Sequence, residues 1–276
     1  MESFIEVQGL EHAYPLEGGE WVPALQGIDL TIEPSEFVAL IGSNGSGKST
    51  LARHFNGLLL PTAGEVRVDG LLTSDLHHLW EVRRRVGMVF QNPENQLVAS
   101  TVEEDVAFGP ENLALPPDEI RQRVDEALAL VGLQDYSTHP PQMLSGGQKQ
   151  LVAIAGVLAA RPACVVFDEP TSMLDPPSRR RILDTVRRLN AEQGITVVLI
   201  TQAMEEAAIA NRVLAMHGGR IVMDGSPREV FEQGERLRAL GLGLPLAVEI
   251  ARHLREQGLA LPPGLLTVDA LAGALC

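Results

Sequence analysis

The residues Gly42-Ser43-Asn44-Gly45-Ser46-Gly47-Lys48-Ser49-Thr50 combine glycines, a lysine and adjacent hydroxyls in an order suited to holding phosphate. Glycines at 42, 45 and 47 let the backbone take conformations closed to other residues, so successive N–H groups can point inward at an anion. Lys48 is placed to meet the β- and γ-phosphates of ATP, the Ser49 hydroxyl to ligate a bridging magnesium ion, and Thr50 to bond an α-phosphate oxygen. Asp168-Glu169 is a second set. An acid at the end of an apolar strand is the arrangement that holds magnesium in phosphate-loop enzymes, which makes Asp168 the metal-associated carboxylate. Glu169 has no structural reason to stand beside it, and a carboxylate within reach of water is the general base that attack on a γ-phosphate needs.

Leu144-Ser145-Gly146-Gly147-Gln148 is a third set. Ser145-x-x-Gln148 is a capping box, so Ser145 opens a helix. Two glycines in its first turn lower helix propensity by about 1 kcal/mol each relative to alanine. Bare N–H groups at the positive end of the dipole would form a second anion site lacking any positive side chain in that turn; the plain alternative is an N-cap and nothing more. Gln91 ends an apolar run and can either reach the crevice outside the carboxyl ends of the strands or be an exposed loop amide.

Positioning the phosphate loop, Gln91 and Asp168-Glu169 requires a strand before each. Phe37–Ile41, Val86–Phe90, Ala163–Phe167 and Thr196–Ile200 read as buried strands that deliver the phosphate loop, Gln91, Asp168 and Thr201-Gln202. Phe4–Val7 and Ile28–Ile32 alternate as half-buried strands around a Gly18-Gly19 loop, with Tyr14 just past the first, and Gly64–Gly70 frames a short strand. From Asn92 the pattern turns helical. Thr101-x-x-Glu104 caps a short helix through Val102, Val106 and Phe108, and Pro116-Pro117-Asp118 starts another with Ile120, Val124, Ala127, Leu128 and Val131 on one face, stopped by Gly132. This spacing predicts an inserted helical subdomain over about 92–160, ending in the Ser145 helix, which runs to Arg161-Pro162. The main unit spans 1–235 and closes through Ile221–Met223 and Gly225-Ser226-Pro227. A C-terminal helical extension, 236–276, follows: Pro245 precedes a helix with Leu246, Ala247, Ile250, Ala251 and Leu254 on one face, and Thr267 caps a last helix over roughly 268–275. So small a pair packs on a neighbour, either a second subunit or its own main unit.

Composition sets the limits. The chain has 276 residues, 45% hydrophobic and 21% charged, with 22 Lys+Arg against 36 Asp+Glu and a net charge of −14, so it carries no general field for nucleic acid. Cys164, in an apolar run, and Cys276 suggest neither a disulfide framework nor a metal site, which fits a reducing compartment. The N-terminal residues lack a basic region followed by an apolar one, and no stretch approaches the about 20 apolar residues of a span. Any membrane role is therefore expected to come through partners.

Taken in order, the 42–50 loop, Gln91, Leu144–Gln148, Asp168-Glu169, Ser172–Asp175 and position 202 resemble the motif set of ATP-binding cassette (ABC) ATPases. Within that family Gln91–Gln96, Gly109-Pro110-Glu111-Asn112 and Ser172-Met173-Leu174-Asp175-Pro176 look like the energy-coupling-factor (cobalt/vitamin importer) subunits. The resemblance implies an α/β fold with a RecA-like phosphate-loop NTPase core, an antiparallel β subdomain and the helical insertion. It implies that Tyr14 stacks on adenine, that Gln91 touches magnesium and senses a membrane subunit, that Ser145, Gly146, Gly147 and Gln148 bind the γ-phosphate of ATP on a second ATPase subunit, and that Asp175 sits at the dimer seam. The expected protein is an ATPase at the cytoplasmic face of the membrane, driving uptake of a micronutrient with ATP and Mg2+. One position departs: the family normally has histidine where this chain has Gln202, which hydrogen-bonds but cannot take a positive charge. The alternative expectation is thus a nucleotide-gated cassette that dimerises on ATP and hydrolyses slowly. A soluble cassette acting on DNA or ribosomes is disfavoured by the acidic charge and by the lack of a long coiled coil or tandem second cassette.

Overall fold

The apolar runs Phe37–Gly42, Cys164–Asp168 and Thr196–Ile200 are buried at every position, as parallel strands covered on both faces must be. In the computed structural model, which describes residues 3–16 and 18–275, they form the middle of the larger of two sheets. Cys276 lies outside the described residues.

In chain order the elements are β1 (Ile5–Pro15), β2 (Trp21–Ile32), β3 (Phe37–Gly42), α1 (Lys48–Phe55), β4 (Ala63–Val68), β5 (Leu71–Leu72), α2 (Leu79–Arg85) and β6 (Val86–Val89). Then come α3 (Val102–Asn112), α4 (Pro117–Val131), α5 (Gly146–Ala159), β7 (Cys164–Asp168), α6 (Pro176–Gln193), β8 (Thr196–Ile200), α7 (Met204–Ala207), β9 (Arg212–His217) and β10 (Arg220–Gly225). The chain closes with α8 (Pro227–Phe231), α9 (Gly234–Ala239), α10 (Leu246–Glu256) and α11 (Val268–Leu275).

The larger sheet has the order β10-β9-β3-β8-β7-β6, parallel except for the β9–β10 hairpin, and the smaller antiparallel sheet has the order β2-β1-β4-β5. Alternate residues of the central strands serve two cores. Ala39, Ile41, Val165, Phe167, Val197 and Leu199 face a core shared with α3, α4, α5 and α6, whereas Val38, Leu40, Val166, Val198 and Ile200 face α1 and the antiparallel sheet. The fold is an α/β phosphate-loop core with an antiparallel β layer and a set of inserted helices. No helix among the described residues is long and apolar enough to cross a membrane.

Several elements differ from their sequence reading. β1 does not stop at Val7 but runs to Pro15, so Tyr14 lies within the strand, opposite Val22, rather than past it. Register shifts between Val7 and Leu10 and between His12 and Ala13 interrupt the two-residue alternation that would reveal the full length. Phe108 is 56% exposed; it sits on α3 away from the buried Val102 and Val106. The 18-residue α6 has no counterpart among the elements expected from the sequence, although Ile182, Thr185, Val186 and Leu189 on its buried face have helical spacing. In α10 only the small Ala247 and Ala251 are buried, packed with Leu265 and Leu271, while Leu246 and Ile250 are exposed. Val248 and Leu266 pack against the main core, so the extension rests on its own chain.

Candidate functional site

Four parallel strands end side by side, and a functional loop leaves each: the phosphate loop after β3, Thr201-Gln202 after β8, Asp168-Glu169 at the end of β7 and Gln91 after β6. The register pairs Leu40 and Asp168 with Ile200 on either side and Val89 with Phe167, which sets all four loops at one height outside the carboxyl ends of the strands. They enclose an open cleft of about 420 Å³ lined by Asn44, Gly45, Gly47, Lys48, Ser49, Thr50, Gln91, Asp168, Glu169 and Gln202. Two larger grooves, about 610 and 560 Å³, lie beside α4 and α6 and contain none of these residues.

Gly47 caps α1 with φ 104°, in the left-handed region that favours glycine. A Cβ there would also stand 2.7 Å from Ala24 O and 2.9 Å from Leu25 Cδ2. Lys48 is 5% exposed, and its Nζ donates to Gly42 O at 2.9 Å and Ser43 O at 3.0 Å. Burial lowers its pKa, opposed by the nearby carboxylates of Glu169 and Asp168. A buried ammonium satisfied only by carbonyls of its own loop is poised for anionic oxygens. Gly42 and Ser46 lie beneath the loop instead of lining the cleft, and Ser46 Oγ is buried without a hydrogen-bond partner.

Ser49 Oγ donates to Asp168 Oδ1 at 2.8 Å. Burial raises the Asp168 pKa, with the Ser49 hydrogen bond acting in the opposite direction. Adjacent hydroxyl and carboxylate oxygens are the donor set a hard divalent cation takes, and a cation there would relieve the buried carboxylate. Glu169 occupies the left-handed region at φ 49°, an uncommon conformation for a non-glycine residue. Its Oε1 accepts from Gln202 Nε2 at 2.6 Å and its Oε2 from Gln91 Nε2 at 3.3 Å. The arrangement can hold a triphosphate on the loop and present a carboxylate, flanked by two neutral amides, to a water at its end.

Tyr14 is 36% exposed and lies beside the loop, its hydroxyl 3.2 Å from Thr50 Oγ1. Its ring packs edge-on against His12, which packs edge-on against His54. These histidines escaped the sequence reading because neither stands in a motif.

The Ser145 turn is not in this cleft. The capping box forms as expected, Ser145 N donating to Gln148 Oε1 at 2.9 Å and Gln148 N to Ser145 Oγ at 3.3 Å. Ser145 and Gly146 are exposed, but Gly147 is buried, and a Cβ on it would lie 2.5 Å from Ser178 Oγ and 2.6 Å from Ser178 Cβ. One of the two glycines thus has a packing reason that bare backbone for an anion does not require. Asp175, the N-cap of α6, accepts from Ser178 N at 3.2 Å. The Gln91 loop is tied to α5: Gln150, fully buried, donates to Phe90 O at 3.1 Å, and Lys149 pairs with Glu94 at 2.6 Å.

The pattern of the ABC transporter family matches residues 25–172. An energy-coupling factor transporter ATP-binding protein EcfA1 from Symbiobacterium thermophilum is 57% identical over 277 residues, 99% of this chain and 96% of that protein. The structure of cbiO1 from Clostridium perfringens, described as part of the ABC transporter complex cbiONQ, matches with a TM-score of 0.77 at 37% identity, covering 91% of this chain and 100% of that one. The MJ0796 cassette, a dimer in a post-hydrolysis state bound to ADP and Pi, matches with a TM-score of 0.74 at 34% identity, covering 81% of this chain and 99% of that one. The chain belongs to the ABC transporter family, among the ATP-binding subunits of energy-coupling-factor type, which are ATPases coupled to transport.

Proposed function

We propose that this chain is the ATP-hydrolysing subunit of an energy-coupling-factor importer, and that ATP-dependent closure of a pair of such subunits drives uptake of a micronutrient, a vitamin or a transition-metal ion. The observation that carries the reading is the single cleft in which Lys48, Ser49, Asp168, Glu169 and Gln202 meet, in a chain whose relative from S. thermophilum bears the energy-coupling name.

Lys48 and the N–H groups of Asn44, Gly45 and Gly47, on the loop that Gly42, Ser43 and Ser46 shape, receive the β- and γ-phosphates, Thr50 the α-phosphate, and Tyr14 the adenine. Ser49, Asp168 and Gln91 would hold Mg2+, which when bound neutralises charge developing on the transferred phosphoryl group. Glu169 takes the proton from the attacking water, and Gln202 orients that water through its amide. Ser145, Gly146, Gly147 and Gln148, being outside the cleft of their own chain, act on ATP held by a second ATPase subunit, a copy or a paralogue. That trans assignment is supported by the dimeric MJ0796 relative. Residues 1–235 form the ATPase unit, with the helical insertion at about 92–160 and the extension at 236–276. The membrane subunits are engaged near Gln91, whose loop is fastened to the Ser145 helix through Gln150 and Lys149, and the chain sits peripherally on the cytoplasmic face. The cbiO1 relative is part of the cbiONQ complex, which favours such an assembly over a nucleic-acid partner.

A second reading is favoured by one observation, the neutral Gln202 in contact with Glu169: a cassette that closes on ATP and hydrolyses slowly. Purification of the chain from membranes with its attached subunits, followed by steady-state ATPase measurement, tests both. Recovery with integral membrane proteins and steady turnover supports the importer; recovery with ATP-dependent closure but negligible turnover supports the slow gate; recovery with neither removes both.

A further inference from the structure

Glu206 is 2% exposed and belongs to none of the motifs above. Thr171 Oγ1 and Thr201 Oγ1 donate to its two oxygens, Oε1 and Oε2, each at 2.6 Å, and Arg179 Nε lies 3.6 Å from Oε1. A carboxylate is costly to bury unless its lone pairs are filled, and here they are filled from two loops that matter. Thr171 stands two residues after Glu169, and Thr201 immediately before Gln202. The β7–β8 ladder ends at Asp168 and Ile200, and the backbone bond from Glu169 N to Ile200 O at 3.0 Å is the next connection outward. Beyond it, two side-chain links join the loops: the Gln202–Glu169 contact itself, at the cleft, and Glu206, which ties Thr171 to Thr201 behind it. A cleft of about 430 Å³ runs from Gln91 and Glu169 to Arg179 and Glu206, so one side of the bridge borders open space.

We propose that Glu206 is a positioning residue for ATP hydrolysis: its carboxylate clamps the Glu169 loop to the Gln202 loop and thereby maintains the 2.6 Å contact between those two side chains. The proposal rests on the roles given above to Glu169 and Gln202. Both threonines are buried at 3% exposure, so Thr171→Val and Thr201→Val remove one hydroxyl each with little change in volume.

The test uses the full chain purified with its membrane subunits and compares kcat, KM for ATP, ATP affinity and thermal midpoint. Glu206→Ala is expected to lower kcat about 100-fold, the scale of a 1 Å misplacement of reacting groups, with KM and affinity changed less than about twofold. Each valine variant is expected to lower kcat about 10-fold on the same grounds. Glu206→Gln accepts from one threonine and donates to the other after that hydroxyl rotates, so it should recover kcat to within about fivefold of the parent. Thr201→Val should cost little more when added to Gln202→Ala. If Glu206→Ala does not fold, the valine variants decide. Unchanged kcat in both valine variants, or a lowered thermal midpoint with full kcat per folded molecule, overturns the clamp. Full turnover in a parallel Glu169→Gln control would instead overturn the site assignment on which the clamp rests.

Discussion

Gln202 Nε2 lies 2.6 Å from Glu169 Oε1 and 2.8 Å from Asn44 Oδ1, so one amide nitrogen joins the carboxylate after β7 to the phosphate loop after β3. A histidine at this position would offer a chargeable donor with an unperturbed pKa near 6.5. Gln202→His is expected to raise ATP turnover, most below about pH 7, where more of the imidazolium is present. Gln202→Ala is expected to lower it. Steady-state rates of the three forms across pH 6 to 8 check this, and equal rates throughout would remove position 202 from the mechanism.

The buried histidine on α1 gives a separate pH signature. His54 Nδ1 lies 2.7 Å from Thr50 O and must donate to it, which leaves Nε2 as the acceptor facing His12 Nδ1 at 3.2 Å. Burial pulls its pKa down from 6.5 to about 4. The unfolded chain therefore takes up a proton below about pH 6.5 that the folded chain refuses until about pH 4, so this group makes stability fall as pH falls through that window, by about 3 kcal/mol at most. Thermal midpoints measured from pH 7 to 4.5 should decline less steeply in His54→Gln; parallel declines would contradict the assignment.

Gly147 and Ser145 should separate folding from assembly. Gly147→Ala drives a methyl group into Ser178 and should destabilise the chain by about 1–3 kcal/mol, read from chemical denaturation and relieved by Ser178→Gly. Ser145→Arg, at an exposed cap, loses the hydrogen bond that Ser145 Oγ accepts from Gln148 N, a cost of about 0.5–2 kcal/mol, but should leave ATP binding to the isolated chain nearly intact while blocking ATP-dependent dimerisation, which sedimentation with and without ATP measures. Equal loss of binding and dimerisation would place the Ser145 turn on its own subunit's nucleotide.

Lys48→Ala removes the buried cation that folds back on Gly42 O and Ser43 O. ATP affinity is expected to drop at least about 100-fold, on the scale of losing a charge-assisted contact to phosphate. Equilibrium binding of a fluorescent ATP analogue reads the effect, and unaltered affinity would remove Lys48 from the phosphate site.

The parts legible in the sequence are those set by local rules. The apolar runs within β3, β7 and β8 announce a buried parallel sheet, and the capping boxes at Thr101 and Ser145 both form. Every residue lining the phosphate cleft stands in a motif or directly after a buried strand. What was hidden depends on distant partners. The outer half of the β1–β2 hairpin is masked by bulges, and one position of the buried face of α6 is a threonine, Thr185, whose polarity blurs the stripe. The need for glycine at 147 comes from Ser178, and Glu206 acquires its meaning only when Thr171 and Thr201 are brought to it. The split of the α10 face, alanines inward and Leu246 and Ile250 outward, likewise follows from which neighbour is present.

The central claim is that Glu169 is the base for ATP hydrolysis in a subunit that closes on ATP. Its most direct test is Glu169→Gln, measured for steady-state phosphate release and for ATP-dependent dimerisation in the same preparation. The account predicts turnover reduced by about 10²- to 10⁴-fold, undiminished ATP binding and accumulation of an ATP-trapped dimer. Undiminished phosphate release from that variant would contradict it.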